Sequence, residues 1–486
     1  MPLSTKKHVK EKGQVFTPCF IVRIILDEVG YVSGNILKKH IIDNSCGDGA
    51  FLCEIVRRYI KEAMSSGISK EEISEDLGRY IHGIEIDRPT FESCVCNLDT
   101  VVASYNLPNV TWDIDNSDAL GAIRFDASMD YVVGNPPYVR VHNLNECYQS
   151  VKSFRFAQAG MTDLYLVFFE LGFRMLNPTG KLCYITPSSW LTSVAAKNMR
   201  EYISGAGTLT SLIDLGHFQA FNKITTYTII SCFDAAEKSR MLLYHGFDAN
   251  LLKKTFVAQL SIDDIAINGN FYPAEKKDIE FLRGVITAPD KGLVSVKNGF
   301  ATLADKVFIT DVPFGTFTIP IVKASTSKWF RGFFPYDKNG KPLPKDVIFS
   351  NKEIAEYLFS HQADLLKGKT EAENPEWYLY GRTQALKDVY SDKISISNLI
   401  KDVESIKLNS VSAGCGVFSG LYILTSVHGH IIREYICSDE FVRYVSMLKN
   451  YKSGGYYTFN SRDLEKYLNY KISLNEGTAD SLSSHE

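Results

Sequence analysis

Three short stretches carry residue types and spacings that could do chemistry on a planar amine. The first is Asp43-Asn44-Ser45-Cys46-Gly47-Asp48-Gly49. Glycines let backbone pass close to a ligand, and a helix starting just after them offers unsatisfied N–H groups. Asp43 and Asp48 would repel a phosphate and suit a ligand with a cationic end. The alternative is a plain glycine-rich turn. The second stretch is Gly83-Ile84-Glu85-Ile86-Asp87. An acid at the end of the second strand of a Rossmann-like unit usually grips ribose hydroxyls, although an acid there is also a common turn former. No GxGxxG fingerprint is present, which argues against a dinucleotide. The third is Gly134-Asn135-Pro136-Pro137-Tyr138. Its two prolines fix φ and remove two donors. The loop therefore presents acceptors, the Asn135 side-chain oxygen and the Pro136 carbonyl, with an aromatic face directly after them. That suits a planar group bearing an NH₂. A Pro-Pro loop that merely closes a strand is the alternative.

The elements that position these stretches can be read from hydrophobic period. His40–Asp43 is a candidate strand, and Gly49–Lys61 follows as a helix with Phe51, Leu52, Ile55, Val56, Tyr59 and Ile60 on one face. Strands are expected at Tyr80–Glu85, Asp130–Gly134, Lys181–Thr186, Ser211–Leu215 and Thr226–Phe233, with a helix from about Pro89 to Tyr105. This β-α-β-α rhythm predicts a mostly parallel, doubly wound α/β sheet over residues 1–245, antiparallel at its far edge where connections shorten. From about 290, Gly, Pro and aromatic residues punctuate shorter strands. A mixed or β-rich second domain is expected over 291–472, after a connecting segment at 246–290 and before a flexible tail at 473–486.

Composition removes several classes. The chain has 486 residues, 45% apolar and 22% charged, near the globular average, so disorder is not its dominant state. Its net charge of −3 excludes a uniformly basic polymer binder but not a local basic face. The best apolar run, Leu164 to Leu176, is broken by Glu170 and Arg174 and is too short to span a membrane. No apolar segment follows the Lys-rich N-terminus, so no secretory signal is expected. The ten cysteines contain no CxxC pair, and His8, His40 and His82 lack metal spacing. Reduced thiols, no metal and a cytoplasmic location are the expectations.

Taken together, the three stretches resemble the S-adenosylmethionine-dependent N6-adenine DNA methyltransferases, specifically the gamma class of restriction–modification systems. The order of motifs is similar, and Gly13-Gln14-Val15-Phe16-Thr17-Pro18 resembles that family's opening motif. The resemblance implies a Rossmann-like methyltransferase domain followed by a DNA-recognition domain. It implies that Thr17 contacts the methionine part of the cofactor, and that Asp43 with the Cys46, Gly47 and Gly49 backbone contacts methionine and ribose. Glu85 would take the ribose hydroxyls and Ile86 would pack on adenine. Asp118, with Ala119 beside it, resembles the acid that bonds the adenine amine. Phe168, in Asp163-Leu164-Tyr165-Leu166-Val167-Phe168-Phe169-Glu170, would wall that pocket. Asn135, Pro136, Pro137 and Tyr138 would hold the target base, with Phe221 as a second clamping aromatic. The family usually has Pro where Asn44 stands.

The resemblance also implies double-stranded DNA as substrate and a possible cognate restriction endonuclease at the same site. It continues more loosely through residues 296–308, 380–382 and 454–459. Residues 291–345 hold nine Lys/Arg against three Asp/Glu, interleaved with aromatics including Phe300, Phe308, Phe314, Phe317, Trp329, Phe330, Phe333, Phe334 and Tyr336. That mixture is the footprint of a nucleic-acid face, with Lys323, Lys328 and Arg331 as phosphate candidates. An ordinary solvated surface over a core is the alternative. A protein-glutamine methyltransferase, whose target is also a planar NH₂, a non-catalytic DNA binder and an RNA substrate remain open readings.

Overall fold

A computed structural model describes residues 17–140, 148–221, 226–289, 292–310 and 314–483. The chain divides into two compact units, Met1–Glu280 and Phe281–Glu486.

The first unit is built on a nine-stranded sheet in the order β3-β2-β1-β4-β5-β7-β6-β8-β9. Its strands are β1 (Ile41–Asp43), β2 (Ile81–Ile84), β3 (Asp113–Asp115), β4 (Met129–Gly134), β5 (Leu176–Pro187), β6 (Leu209–Asp214), β7 (Thr228–Asp234), β8 (Met241–Asp248) and β9 (Lys253–Ser261). Strands β1 to β5 pair in parallel, and β7 inserts antiparallel between β5 and β6. Parallel neighbours of this kind need helical crossovers, and the strand order is that of the doubly wound α/β arrangement expected. Helix α1 (Cys19–Val29) precedes β1, and α2 (Ala50–Ser65) follows it with Phe51, Leu52, Ile55, Val56, Tyr59 and Ile60 all buried. Helices α3 (Lys70–Tyr80) and α4 (Arg88–Ser104) flank β2, and α5 (Leu164–Met175) precedes β5. Asp87 caps α4 by accepting from the Thr90 N–H, with Pro89 in the first turn.

The structure differs from the sequence expectations in three places. Residues expected to connect the domains instead supply all of β9 and the end of β8, a long antiparallel hairpin at the sheet edge. Residues 253–256 of β9 are all exposed and Leu260 alone of that strand is buried, so it lacks the continuous apolar run of an inner strand. Of the tail expected from residue 473, the described part, as far as Ser483, continues the helix that begins at Ser461. Third, Cys183 of β5 and Cys232 of β7 oppose one another in register with Cα atoms 4.2 Å apart and are disulfide-bonded. The expectation of reduced thiols does not hold for this pair, because the antiparallel register presses the two side chains together.

The first unit ends in a small hairpin, β10 (Ala266–Ile267) and β11 (Asn270–Phe271). Among the described residues the second unit has three small sheets. One runs β12 (Val294–Asn298), β20 (Leu421–Thr425), β16 (Lys393–Ile396) and β18 (Leu408–Val411). Another runs β13 (Ile309–Thr310), β15 (Lys328–Phe333), β14 (Thr318–Lys323) and β19 (Gly416–Phe418). The third runs β17 (Leu399–Ile400), β22 (Tyr456–Thr458) and β21 (Tyr451–Lys452). Mixed character is therefore observed. The aromatic run read from sequence as a nucleic-acid face is mostly core: Phe300, Phe308, Phe314, Phe317, Phe333, Phe334 and Tyr336 are buried around Trp377 and Tyr380. Of that run, Trp329 is left exposed at 47%.

Candidate functional site

Strand order reverses between β1 and β4, which lie side by side. In open α/β sheets ligands bind outside the carboxyl ends of the strands at such a switch point. The chain places its chemistry there. Asp43 ends β1, Glu85 follows β2, Asn116 and Asp118 follow β3, and Asn135 follows β4.

Asp43 is buried, and its Oδ1 accepts from the Ser45 N–H at 3.0 Å. Its neighbour across the switch point is Gly134, where a Cβ would lie 2.7 Å from Asp43 Oδ1. Only glycine lets β4 pass that carboxylate. Asn44 is also buried. It accepts from Tyr184 Oη at 2.9 Å, tying the first loop to β5. The Cys46 N–H donates to the Ile84 carbonyl at 3.0 Å. Gly49 holds φ +88° at the start of α2, where a Cβ would meet Cys94 Sγ at 2.8 Å.

Glu85 bridges the two loops. It accepts from the Gly47 N–H at 3.0 Å and the Asp87 N–H at 2.7 Å. Burial raises its pKa despite those donors. Next to it Ile86 is 66% exposed, an apolar face with nothing covering it among the described residues. Asn116 was passed over in the sequence. Its Nδ2 donates to the Glu85 carbonyl at 2.8 Å and fixes the β2 loop from β3; a polar residue directly after a strand was the available signal. Asp118 is exposed, caps a short 3₁₀ turn through Leu120 N at 2.9 Å, and precedes a buried Ala119. It lines a cleft of about 570 Å³ with Phe154, Glu170 and Arg174. Phe168, the expected wall, is buried on α5 and does not line that cleft.

The third stretch converges on the same end of the sheet. Asn135 Nδ2 donates to Thr17 Oγ1 at 3.2 Å, so the carbonyl end of the amide points the other way. Pro136 is buried, while Pro137 and Tyr138 are half-buried. Tyr138 Oη donates to the Ile185 carbonyl at 3.1 Å. Its ring meets Phe221 edge-to-face, with centroids 6.1 Å apart, and Tyr165 at 6.4 Å. The structure thus brings Thr17, Asn135, Tyr138 and Phe221 together. Gly13 to Phe16, the start of the opening motif, lie outside the described residues.

Burial, with a smaller push from Glu85, raises the Asp43 pKa from 3.8 to about 7. Between about pH 4 and pH 7 the folded protein holds a proton that the unfolded chain has released. Stability from this group therefore falls as pH rises through that window. Asp43→Asn keeps the acceptor for Ser45 and removes the titration. Chemical denaturation at pH 5 and pH 8 is expected to show a smaller loss in the variant, by about 3 kcal/mol. An identical pH slope in the two proteins would remove Asp43 as its source.

In the second unit, Lys323 and Lys328 sit directly opposite one another across the β14–β15 hairpin. Like charges so placed repel unless an anion joins them. Arg331 pairs with Pro320 three positions further along, on the other face of the hairpin with exposed Trp329. The three phosphate candidates are therefore one pair and one separate residue. Among the described residues no three His, Cys, Asp or Glu side chains converge as a metal site, and no helix is long and apolar enough to cross a membrane.

Comparison with known proteins adds to this geometry. Residues 69–221 match the family described as Eco57I restriction-modification methylase. The chain is 29% identical over 244 residues to the type II methyltransferase M.BstVI of Geobacillus stearothermophilus, covering 46% of this chain and 42% of that protein. It is 27% identical over 336 residues to the type II methyltransferase M.PaeR7I of Pseudomonas aeruginosa, covering 64% and 58%. Against the type II restriction enzyme and methyltransferase RM.Eco57I of Escherichia coli it is 23% identical over 501 residues, covering 82% and 50%. The chain spans about half the length of these curated relatives. Among solved structures, the type IIL restriction-modification enzyme MmeI, in complex with DNA, shares the fold at a TM-score of 0.62 and 13% identity over 94% of this chain and 66% of that one. Residues 69–221 are thus similar to the Eco57I restriction-modification methylase family, and the curated relatives that the chain resembles are type II methyltransferases.

Proposed function

We propose that this chain is a site-specific DNA methyltransferase that transfers a methyl group from S-adenosylmethionine to N6 of an adenine extruded from the duplex. The observation that carries the reading is the meeting of Asn135, Tyr138 and Phe221 beside the switch-point carboxylates. The cofactor fits the residues present. Buried Asp43 faces the switch point and suits the cationic end of the methionine part. The Glu85 carboxylate suits a ribose diol, and exposed Ile86 beside it suits the face of an adenine. Asp118 offers its remaining carboxylate oxygen to the adenine amine, and Thr17 with Cys46, Gly47, Gly49 and Ala119 lines the approach.

Bound there, the cofactor supplies an electrophilic methyl. The chain's own work is to prepare the amine. An adenine N6 lone pair is delocalised into the ring and is a poor nucleophile. The Asn135 carbonyl and the Pro136 carbonyl accept its two hydrogens, so the nitrogen moves toward sp³ and its lone pair is aimed. Thr17 holds the Asn135 amide in the orientation this needs. Pro136 and Pro137 contribute no competing N–H groups. The nitrogen would bond to the methyl as the bond to the departing thioether breaks, and one of the two amine hydrogens would then be lost as a proton to solvent; position and electrostatics govern this displacement, without a covalent enzyme intermediate. A base inside a duplex is out of reach, and extruding it costs a few kcal/mol. Stacking on Tyr138 and Phe221 offsets part of that cost, at about 1–3 kcal/mol per base. In a restriction–modification setting the modified site is shielded from an endonuclease that reads the same sequence.

Mass spectrometry of nucleosides from DNA treated with protein and cofactor is expected to show N6-methyladenine. N4-methylcytosine as the sole product would overturn the adenine assignment, since cytosine also offers an amine to Asn135.

The second unit is the part we assign to target recognition, with Lys323 and Lys328 on backbone phosphates and Arg331 on a separate contact. Neutralising Lys323 and Lys328 together is expected to lower affinity for all duplex sequences and to flatten the plot of log K against log salt by about 2. An unchanged slope in a filter-binding titration would move the phosphate contacts to another face.

A further inference from the structure

Met161 and Val194 are among the most exposed large apolar residues of the first unit, at 74% and 72%. Isolated exposed apolar side chains need no explanation. These two, however, are neighbours. A Cβ on Gly160 would lie 3.3 Å from Ala195 N and 3.5 Å from Val194 Cγ1, so the turn carrying Met161 abuts the turn carrying Val194.

Both turns are held rigid. Gly160 takes φ +55°. Buried Thr162 donates through Oγ1 to the carbonyls of Ala157 at 3.0 Å and Ala159 at 3.3 Å, which fixes the residue before it outward. Val194 opens a 3₁₀ turn whose Ala195 and Ala196 are buried. Beneath that turn lies the buried guanidinium of Arg200. It donates to the carbonyls of Trp190 at 2.8 Å, Ser193 at 2.7 Å and Gly269 at 2.6 Å, and to Asn270 Oδ1 at 3.0 Å. A buried charge is committed to keeping Val194 where it is.

The pair also stands at the catalytic end of the sheet. The Leu164 N–H donates to the Val139 carbonyl at 2.8 Å, and Asp163 bridges to Arg140, so the Met161 segment runs alongside the chain leaving Tyr138. Exposed Arg140 sets a cation beside it. Two apolar side chains on fixed turns, next to an aromatic slot and flanked by a cation, match the wedges that proteins insert between base steps.

We propose that Met161 and Val194 form an apolar wedge that enters the duplex beside the target adenine and fills the space vacated when it leaves the stack. The inference rests on the methyltransferase reading above. It adds a positioning role that neither cofactor binding nor base clamping requires.

The test uses the full chain and a duplex carrying its own recognition sequence, read beforehand from methylated DNA. The target adenine is replaced by 2-aminopurine, whose fluorescence rises on unstacking. Wild-type protein with cofactor is expected to raise the signal. Met161→Ala/Val194→Ala is expected to lose most of that rise and to slow single-turnover methylation of a normal duplex at least tenfold. Cofactor affinity should stay within twofold. Placing an abasic site opposite the target adenine should restore the variant's rate to within about threefold of wild type, because the stack is already open. Met161→Gln/Val194→Thr, similar in size but polar, should share the defect. Wild-type fluorescence and rate in both double variants would overturn the wedge and point to a protein partner for this patch. A slow rate that the abasic duplex fails to restore would overturn it as well, as a structural defect. Absence of any methylation or fluorescence change by the wild type would instead sink the methyltransferase reading beneath it.

Discussion

Asn135→Ala is expected to lower single-turnover methylation by about 10²–10³ while duplex affinity stays near normal. The side chain's amide hydrogen is held by Thr17 at 3.2 Å, so its oxygen is the one acceptor that the loop can aim with a side chain. Removing it leaves the reacting nitrogen with the Pro136 carbonyl alone. Tyr138→Ala should also be slow, for a different reason. It removes a stacking face and the anchor at the Ile185 carbonyl. Its defect should shrink when the target adenine is mispaired, because extrusion then costs less. Tyr138→Phe keeps the face and loses only the anchor, so most activity should survive. Asn135→Ala should gain nothing from mispairing. Rate measurements that find the two alanine variants rescued alike would show that the division of labour between them is wrong.

Glu85→Ala carries the other large effect. Its carboxylate accepts from Gly47 and Asp87 and has lone pairs left for a ribose diol. Hydrogen bonds to a charged group contribute about 1.5–3 kcal/mol each, so S-adenosylmethionine should bind roughly 10- to 100-fold more weakly. The same substitution strands two backbone N–H groups, which costs stability of about 1–3 kcal/mol. Glu85→Gln separates the two consequences. It retains one acceptor for the loops and loses the charge and half the fork. Calorimetry should find cofactor affinity reduced in both variants, with stability reduced mainly in Glu85→Ala. Unchanged affinity in folded Glu85→Ala would remove this residue from the cofactor site.

What could be read from sequence followed the dry parts of the sheet. β1, β2, β4 and β5 are buried on both faces, so they appear as short apolar runs, and α2 shows its buried face at helical spacing. Asp43, Glu85 and Asn135 were visible because each stands directly after such a run. β3 was not. It is Asp-Ile-Asp, and its acids are held by Arg124 and His82 rather than by burial. Helix α3 buries only Ile73 and Leu77 among its apolar side chains, too few to mark a period. In the second unit the error ran the other way. β15 is exposed at Lys328, Trp329 and Arg331 and buried at Gly332 and Phe333, and the aromatics that bury Phe333, among them Trp377, Tyr380 and Phe418, come from far along the chain. The pairing of Lys323 with Lys328, by contrast, is local, made across a four-residue hairpin loop.

Asp43 and Gly134 occupy one volume, and that binds their histories together. A Cβ at 134 overlaps the Asp43 carboxylate, so no side chain can be accepted there while the aspartate is present. Substitutions at the two positions are therefore order-dependent. A saturation library at 134 in this background should return glycine alone. The same library on Asp43→Gly removes the overlap but not the backbone preference, since φ at 134 is +155°, so alanine or serine should appear there only with a residual loss of stability and without cofactor binding. Any lineage that changes this glycine has to pass first through a protein that has already given up its carboxylate.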